Sequence, residues 1–424
     1  MHHWTARICA LGVALAPVAI APAADVESGI VYPGAVATLI DRELRARTIR
    51  IVGLDRVELS VIDERGERRS VPLSELIALV PVSGAPAAPS GVGTVIGGKR
   101  VNSDALQRRL DAGNLGFVET VDGQRLIGDL GESTGDSDSI SWMHPKFGPV
   151  RIEIDRIRTV AMPAAGAQAL TLERNIAEDI LALLNGDRLR GFIVGLADPV
   201  VIEQDDARIE VAREHVAGVT LANPDETRSG SMVWLLDGTV VRIAEASSIA
   251  GDSIDLSLES GAEGTYSMDQ LRAMGFDAGR LVPLSDVQPI AQTGEGKRRA
   301  VPPIEFIEHP DDQAAGAGPT LGAMDIRFPG PMRVEWRLPK RVERLASTIA
   351  LASDAAPWGD CEVVVLVDGH EIFRDHLESG RSMTAIPEPI RGSVLTIAVE
   401  PGNHGPINDR VILHRPLLLL EPPR

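Results

Sequence analysis

The residues best suited to ligand chemistry lie near the end of the chain, in stretches rich in Gly, Pro and Asp. One is a tryptophan, and the others carry carboxylate, imidazole or amide groups. A pyranose ring has an apolar face and a fringe of hydroxyls, so a site for it combines an aromatic platform with a few polar groups. The candidate contacts for such a ligand are Trp358, Asp360, His370, His404, Asn408 and Asp409.

Short strands must position these residues. From Met332 to Leu338 apolar residues alternate with charged ones, which predicts a half-buried strand with Trp336 in the core. Apolar runs at 349–351, 362–367, 371–373 and 395–399 continue the series, and loops of Gly, Pro and Asp separate them. Asp368 with Gly369 is favoured as a turn over a ligand contact. The layout is typical of an antiparallel β-sandwich or jelly roll.

The same region resembles a known family. The segments that carry the resemblance are Val363–Phe373, which contains a Val-Asp-Gly hairpin, the strand Gly392–Val399 and the pair Asn408-Asp409. They resemble the NPCBM carbohydrate-binding module that is associated with glycoside hydrolase family 98, over about residues 300–420. The resemblance implies a galactose-binding-like β-sandwich and a role in glycan adhesion.

The first 280 residues repeat one pattern of turns and apolar runs. Asn-Gly and Asp-Gly are typical of two-residue hairpins in which both central residues take positive φ. Closing segments with apolar residues three apart follow, as in Ile154, Ile157 and Val160. Each copy predicts a small half-barrel that packs against its neighbours, with a weak resemblance to SH3-like and Sm-like barrels. The turns are Asp122-Gly123, Asn185-Gly186 and Asp237-Gly238, and a divergent first copy lacks such a turn.

Turn signals and composition divide the chain into segments. The insertion after the first copy is expected to hold a short helix capped by Ser103, and Leu172–Leu184 is expected to be a short helix followed by a strand. Proline and glycine among polar residues predict a linker before the last domain. The segments are a signal peptide (1–23), β-repeat 1 (24–82), a linker or insertion with a short helix (83–113), β-repeat 2 (114–163), β-repeat 3 (172–223), β-repeat 4 (229–280), a linker (281–300) and the carbohydrate-binding sandwich (301–424).

The N-terminal residues predict export. Basic residues up to Arg7 precede the apolar run Ile8–Ile20, and Ala21-Pro22-Ala23 offers a small-residue cleavage site. The run is shorter than the ~20 residues of a membrane-spanning helix, so no transmembrane segment is expected in the mature chain. The protein is therefore expected in the periplasm, on the cell surface or outside the cell.

Charge and motifs exclude several classes of function. The formal net charge of -18 would repel phosphate backbones, so no nucleic-acid partner is expected. No serine-hydrolase, zinc-protease or phosphate-loop motif occurs, so no catalytic residue is predicted. Cys361, the one cysteine beyond the signal, is expected to be a buried thiol in a strand. No cofactor is predicted; the alternative is a structural Ca²⁺, which sandwiches of this type often hold. The oxygen-rich stretch Asp136-Ser137-Asp138 lies in a different unit and lacks the Gly and Glu of an EF-hand loop.

Three functions remain open. The favoured one is a non-catalytic exported protein that binds a glycan or envelope polysaccharide through its C-terminal module, with the repeats as spacers or as contacts for protein partners. The second is a structural or assembly protein of the cell envelope that has no sugar ligand and uses the sandwich for docking. The third is a glycoside hydrolase whose paired carboxyl groups lie in a cleft between repeats.

Overall fold

The computed structural model describes most of the chain, and there it is nearly all β. Short 3-10 turns join the strands, and the described residues contain no α-helix. The described residues are 35–81, 115–131, 138–163, 177–205, 207–249, 253–294, 302–309, 319–379, 381, 383–386, 389–405 and 408–422. The predicted mainly β fold with a C-terminal β-sandwich is confirmed. The predicted signal peptide, the helix capped by Ser103, the helical part of Leu172–Leu184 and the pair Asp136-Ser137 lie outside the described residues.

The first twenty strands form four groups of five, which we call units 1 to 4 and together the four-unit array. Unit 1 contains β1 (Val36–Asp41), β2 (Ala46–Leu54), β3 (Glu58–Ile62), β4 (Arg68–Pro72) and β5 (Leu76–Pro81). Unit 2 contains β6 (Gly116–Thr120), β7 (Arg125–Leu130), β8 (Ser139–His144), β9 (Gly148–Glu153) and β10 (Ile157–Ala161). Unit 3 contains β11 (Asp179–Leu183), β12 (Arg188–Gly195), β13 (Val200–Gln204), β14 (Ala207–Val211) and β15 (Val216–Thr220). Unit 4 contains β16 (Ser231–Leu235), β17 (Val240–Ile249), β18 (Ser253–Leu258), β19 (Glu263–Ser267) and β20 (Leu271–Gly275).

All four units pair their strands in the same antiparallel order. The first four strands form a meander, and the fifth returns to pair with the first, as β5 does with β1. A 3-10 turn of three residues precedes each closing strand. In unit 2 the apolar triplet spans both parts, because Ile154 begins the 3-10 turn while Ile157 and Val160 lie on the closing strand.

The hairpin turns of the array differ from the predicted type. At the Asp-Gly and Asn-Gly turns only the glycine is left-handed, with φ of 78°, 93° and 88°. The Gly123 N–H donates to the Thr120 carbonyl, and the Thr120 N–H donates to the Gln124 carbonyl, both at 3.0 Å. These are three-residue loops with glycine in the bulge position. The two-residue prediction is wrong here because the residue before each Asp or Asn also belongs to the loop.

Closing strands join the units in pairs. In units 1 and 4, β5 pairs antiparallel with β20, with Leu79 opposite Met274. In units 2 and 3, β10 pairs antiparallel with β15, with Val160 opposite Val219. These four side chains are buried, and one hydrophobic cluster runs through all four units. The array therefore shares a continuous core, which a unit of this size could not build alone.

The C-terminal region is a sandwich of two antiparallel sheets. Its strands are β21 (Leu281–Pro283), β22 (Pro289–Gly294), β23 (Glu305–Ile307), β24 (Asp325–Phe328), β25 (Met332–Arg337), β26 (Val342–Leu351), β27 (Asp360–Val367), β28 (His370–Glu378), β29 (Met383–Ile386), β30 (Val394–Pro401) and β31 (Val411–Leu420). The first sheet has the order β23-β24-β31-β26-β29, with β21 also paired to β31, and the second has the order β22-β25-β30-β27-β28. Trp336, Phe328 and Ile349 are fully buried within the core of the sandwich.

The sandwich begins earlier than predicted. The stretch 281–300 was expected to be a linker, but β21 pairs with β31, and β22 pairs with β25 at the edge of the second sheet. The linker prediction is wrong for these residues because an edge strand tolerates proline, and Pro289 is the first residue of β22. A hydrophobic cluster also joins Ile77 and Trp234 of the array to Leu281 and Leu417 of the sandwich. Cutting the chain at residue 301 would therefore expose core residues.

Candidate functional site

Trp358 lies at one end of the sandwich, in the turn between β26 and β27. Its side chain is 74% exposed, the highest exposure among the large hydrophobic residues that the structure describes. The backbone beneath it is fixed, because the Trp358 N–H donates to the Ala355 carbonyl at 2.9 Å and the Gly359 N–H donates to the same oxygen at 2.7 Å. Ala355 is itself fully buried. The turn thus presents an indole to solvent from a backbone that is already ordered.

Asp360 lies two residues further along, at the start of β27, and is buried. Its carboxylate contacts two imidazoles: Oδ2 is 2.9 Å from His404 Nδ1, and Oδ1 is 2.9 Å from His376 Nε2. The His404 N–H also donates to Oδ2, at 2.9 Å. The His404 side chain is 80% exposed, whereas that of Asp360 is 5% exposed. Asp360 therefore positions the two histidines and does not itself face a ligand.

Close backbone packing brings the neighbouring loops to this end. A Cβ on Gly402 would lie 2.4 Å from the Asp360 carbonyl oxygen, and one on Gly359 would lie 3.0 Å from the Asn408 carbonyl oxygen. Only glycine fits at Gly402, so the loop after β30 can close onto Asp360. Asn408 is partly buried and has φ of 61°, while Asp409 is 1% exposed. The predicted role of Asp409 as a direct ligand contact does not agree with this burial.

Cys361 follows Asp360 and is fully buried. Burial raises the pKa of its thiol to about 12, and the negative charges of Asp409 and Asp360 add to the effect. The thiol therefore stays protonated at neutral pH, as a structural cysteine does. The side chain packs in the sandwich core and takes no part in the exposed surface around Trp358.

His370 does not belong to this cluster. It begins β28 directly after the turn at Asp368 and Gly369, which both have positive φ, 49° and 81°. β27 runs from Asp360 to Val367, so the turn lies at the opposite end of the strand from Asp360. Asp368 accepts the backbone N–H groups of Ser393 and Val394, which is a structural role. The inclusion of His370 in the site is wrong because β27 carries the chain away from the Trp358 turn to the opposite end of the hairpin, where His370 lies.

His376 is a site residue that the sequence reasoning missed. It lies on β28 opposite Glu362, and its ring reaches diagonally across the ladder to Asp360. Counting back from the Asp368-Gly369 turn gives a register that is one residue off, because a bulge follows the pair Leu366 and Glu371. The hairpin was recognisable from sequence, but the bulge that sets the final register was not.

A cleft between units 1 and 4 is the place to look for the paired carboxyl groups of a glycosidase. It has a volume of about 270 Å³, and Asp55, Arg56 and Glu245 lie in its lining. Arg56 forms an ion pair with Glu245. Asp55 accepts the N–H groups of Val57 and Glu58, and these hydrogen bonds lower its pKa. A glycosidase needs one carboxyl group with a raised pKa as its general acid, and Asp55 is shifted in the other direction.

The part of the chain that the structure describes has no helix of the length and hydropathy needed to cross a membrane. Of the stretch considered for calcium, only Asp138 is described.

Comparison with known proteins gave structural neighbours only. No protein family matched the sequence. No curated protein matched it either. The CBM51 module of Clostridium perfringens GH95, solved in complex with methyl-galactose, is 12% identical, covers 32% of this chain and 99% of its own, and has a TM-score of 0.26. The CBM51-2 and INT domains of Clostridium perfringens ZmpB, with GlcNAc, are 9% identical over 45% of this chain and 43% of theirs, with a TM-score of 0.27. Tandem CBM51 modules of the family 98 glycoside hydrolase Sp3GH98 from Streptococcus pneumoniae are 11% identical over 57% of this chain and 71% of theirs, with a TM-score of 0.26.

Proposed function

We propose that this chain is an exported, non-catalytic carbohydrate-binding protein that holds a glycan at the Trp358 end of its C-terminal sandwich. The observation that carries the proposal is a 74% exposed tryptophan on an ordered turn, beside a buried aspartate that fixes two histidines. We further propose that the sandwich is an NPCBM-like module and that units 1 to 4 are SH3-like barrels.

The chemistry of this surface suits a sugar. An exposed indole can stack on the apolar face of a pyranose ring, which removes both surfaces from water. The His404 ring, with one nitrogen held by Asp360, keeps its other nitrogen for a sugar hydroxyl. The backbone hydrogen bonds of the Trp358 turn lower the cost of ordering the platform on binding. The expected ligand is therefore a terminal or exposed sugar unit of a glycan or envelope polysaccharide.

The four-unit array would carry the sandwich and supply contacts for protein partners. Its shared core, and the cluster through Trp234 and Leu417, support a fixed attachment of the sandwich to the array. A binding module on a rigid support would hold the protein against a polysaccharide in the periplasm, on the cell surface or outside the cell. Export itself is proposed from the sequence.

A second candidate function is envelope assembly without a sugar ligand. One observation favours it: Phe192 on β12 of unit 3 is 66% exposed. Exposed aromatic residues are enriched at protein interfaces. In this alternative the array binds a protein partner, and Trp358 is part of a docking surface.

A glycan array probed with the full chain separates these functions. The full chain is needed because the sandwich shares core residues with the array. We expect binding to a subset of glycans, loss of that binding in Trp358→Ala, and retention in Phe192→Ala, which removes another exposed aromatic residue elsewhere. Absence of binding to any glycan or envelope polysaccharide by the folded wild-type chain would reject the proposal in favour of the assembly function.

A further inference from the structure

A second group of polar residues lies on the first sheet of the sandwich, apart from Trp358. His309, Asp325 and His414 each place a ligand atom within 4.8 Å of the others. Asp325 is fully buried, and both histidines are partly buried. The two imidazole rings stand edge to face with their centroids 5.3 Å apart.

Three adjacent strands bring these residues together. Asp325 begins β24, which pairs on one side with β23 and on the other with β31. His414 lies on β31, and His309 lies two residues beyond the end of β23. The Asp325 Oδ2 atom is 2.8 Å from His414 Nδ1, and Oδ1 accepts the Arg415 N–H at 3.0 Å.

A bulge in β31 creates the contact with Arg415. The register against β26 shifts between Ala346 and Thr348, and Arg415 takes a positive φ of 42°. This conformation is uncommon for a residue other than glycine, and bulges of this kind often redirect groups at functional sites. The bulge directs a backbone N–H at one oxygen of Asp325 and leaves the other oxygen beside the imidazoles.

We propose that His309, Asp325 and His414 form a binding site for a divalent transition-metal ion, with Zn²⁺ the best match. Two imidazoles and one carboxylate are a common set of three protein ligands for zinc, with a fourth position left for water. Zinc–ligand distances of about 2.0–2.2 Å in a tetrahedron place ligand atoms about 3.3–3.6 Å apart. The three ligand atoms lie within 4.8 Å of one another, and Asp325 Oδ2 and His414 Nδ1, 2.8 Å apart, would separate by about 0.5–0.8 Å to admit the ion. Bound zinc would hold His309 against the strands that carry Asp325 and His414.

The Asp360 cluster has the same residue types but a different geometry. There His404 and His376 contact different oxygens of one carboxylate, so each imidazole has its own partner. At Asp325 the ligand atoms of both histidines converge with a carboxylate oxygen on one region of space. Convergence is what a metal ion requires, and this makes the Asp360 cluster an internal control.

The proposal is tested by titrating zinc chloride into the full chain by calorimetry, after removal of metals with a chelator and without a polyhistidine tag. We expect about one equivalent to bind to the wild type, and His309→Ala to weaken binding at least about tenfold because one of three ligands is lost. His309→Ala leaves the Asp325–His414 contact in place, and far-UV circular dichroism checks that the variant is folded.

His404→Ala is the matched control, and it should bind zinc as the wild type does. Cobalt supplies a second readout, since Co²⁺ in a tetrahedral site of this kind gives intense visible absorption bands that the His309→Ala chain should lack. Failure of the wild type to bind zinc, equal binding by His309→Ala, or loss of the site in His404→Ala would overturn the proposal, and the three residues would then be a hydrogen-bonded network only.

Discussion

The four-unit array and the sandwich both bury polar side chains, but they use them differently. In the array, the buried polar residues Asp122 and His144 have partners in another unit. In the sandwich two buried aspartates hold histidines that reach the surface. In a protein made almost entirely of β-strands, the partners of such buried polar residues distinguish a supporting region from a candidate binding region.

Asp122 shows the pattern of the array. Its carboxylate is 3.0 Å from Arg156 in unit 2 and 3.1 Å from Arg242 in unit 4. Burial raises the pKa of Asp122, but hydrogen bonds from Thr120 and Gln124 and the two arginines outweigh it, so the pKa is lowered overall. The charge is thus compensated inside the protein and ties two units together.

His144 also links unit 2 to unit 4, but through a neutral imidazole. Its Nδ1 accepts the N–H groups of Lys146 and Phe147, and its Nε2 therefore donates to Thr239 of unit 4 at 3.0 Å. In the sandwich, by contrast, His404 and His414 contact buried carboxylates, and His404 is mostly exposed. The His404 ring therefore faces solvent, whereas His144 is buried.

We expect the greatest loss of stability from the removal of the Asp122 carboxylate. Asp122→Ala should lower the free energy of unfolding by about 3 kcal/mol, since it removes the shared partner of two partly buried arginines. Urea denaturation measures this loss. Glycan binding by the folded variant should stay unchanged, and a loss of binding without unfolding would break the division between the two regions. Glu67→Ala, at an exposed ion pair with Arg69, should cost much less.

Lowering the pH should reduce the free energy of unfolding by a smaller amount, through the protonation of His144. Burial lowers the pKa of His144 to about 4, with Asp237 raising it and Lys146 lowering it further, while an unfolded histidine titrates near 6.5. Between these values the unfolded state binds more protons, so stability is full above about pH 6.5 and falls as pH drops towards 4. The loss at pH 5 should be on the order of 2 kcal/mol.

Urea denaturation at pH 7.5 and 5.0 measures this dependence. His144→Gln, which keeps a polar side chain but cannot titrate, should show a smaller loss in acid than the wild type. His215→Gln, at an exposed histidine, should behave as the wild type does. Equal acid sensitivity in the wild type and His144→Gln would show that other groups govern the acid response.

The smallest change that we expect is in glycan affinity, when the His404 imidazole is removed. Removing one hydrogen-bonding group from a partly solvated site costs about 0.5–1.5 kcal/mol, so His404→Ala should weaken glycan binding about 2- to 12-fold. His370→Ala, an exposed histidine at the other end of the hairpin, should leave the affinity unchanged. If His370→Ala weakened binding more than His404→Ala, the placement of the site at the Trp358 end would be wrong.

Local sequence patterns predicted the strands well. Alternation identified β25 with Trp336 in its core, and the turn at Asp368 and Gly369 identified the β27–β28 hairpin. The first strands of the sandwich were missed because a proline such as Pro289 among polar residues usually indicates a linker. Here Pro289 begins an edge strand.

Sequence patterns predicted the candidate sites less well than they predicted the strands. Trp358, Asp360 and His404 could be selected together because they lie in loops or at a strand end, and the structure places them at one end of the sandwich. The convergence of Asp325 and His414 depends on strand order and on a bulge in β31, which non-local pairing determines. No local pattern encodes such a contact, so the second cluster was not predicted.

Isothermal titration calorimetry of the wild type and Trp358→Ala, with the glycan that binds most strongly on the glycan array, shows whether the glycan site lies at the Trp358 end of the sandwich. A tryptophan at the centre of a binding site typically contributes at least about 2 kcal/mol, so the variant should bind about 30-fold more weakly or not at all. Phe192→Ala should match the wild type. An unchanged dissociation constant in folded Trp358→Ala would contradict the assignment of the glycan site to this end of the sandwich.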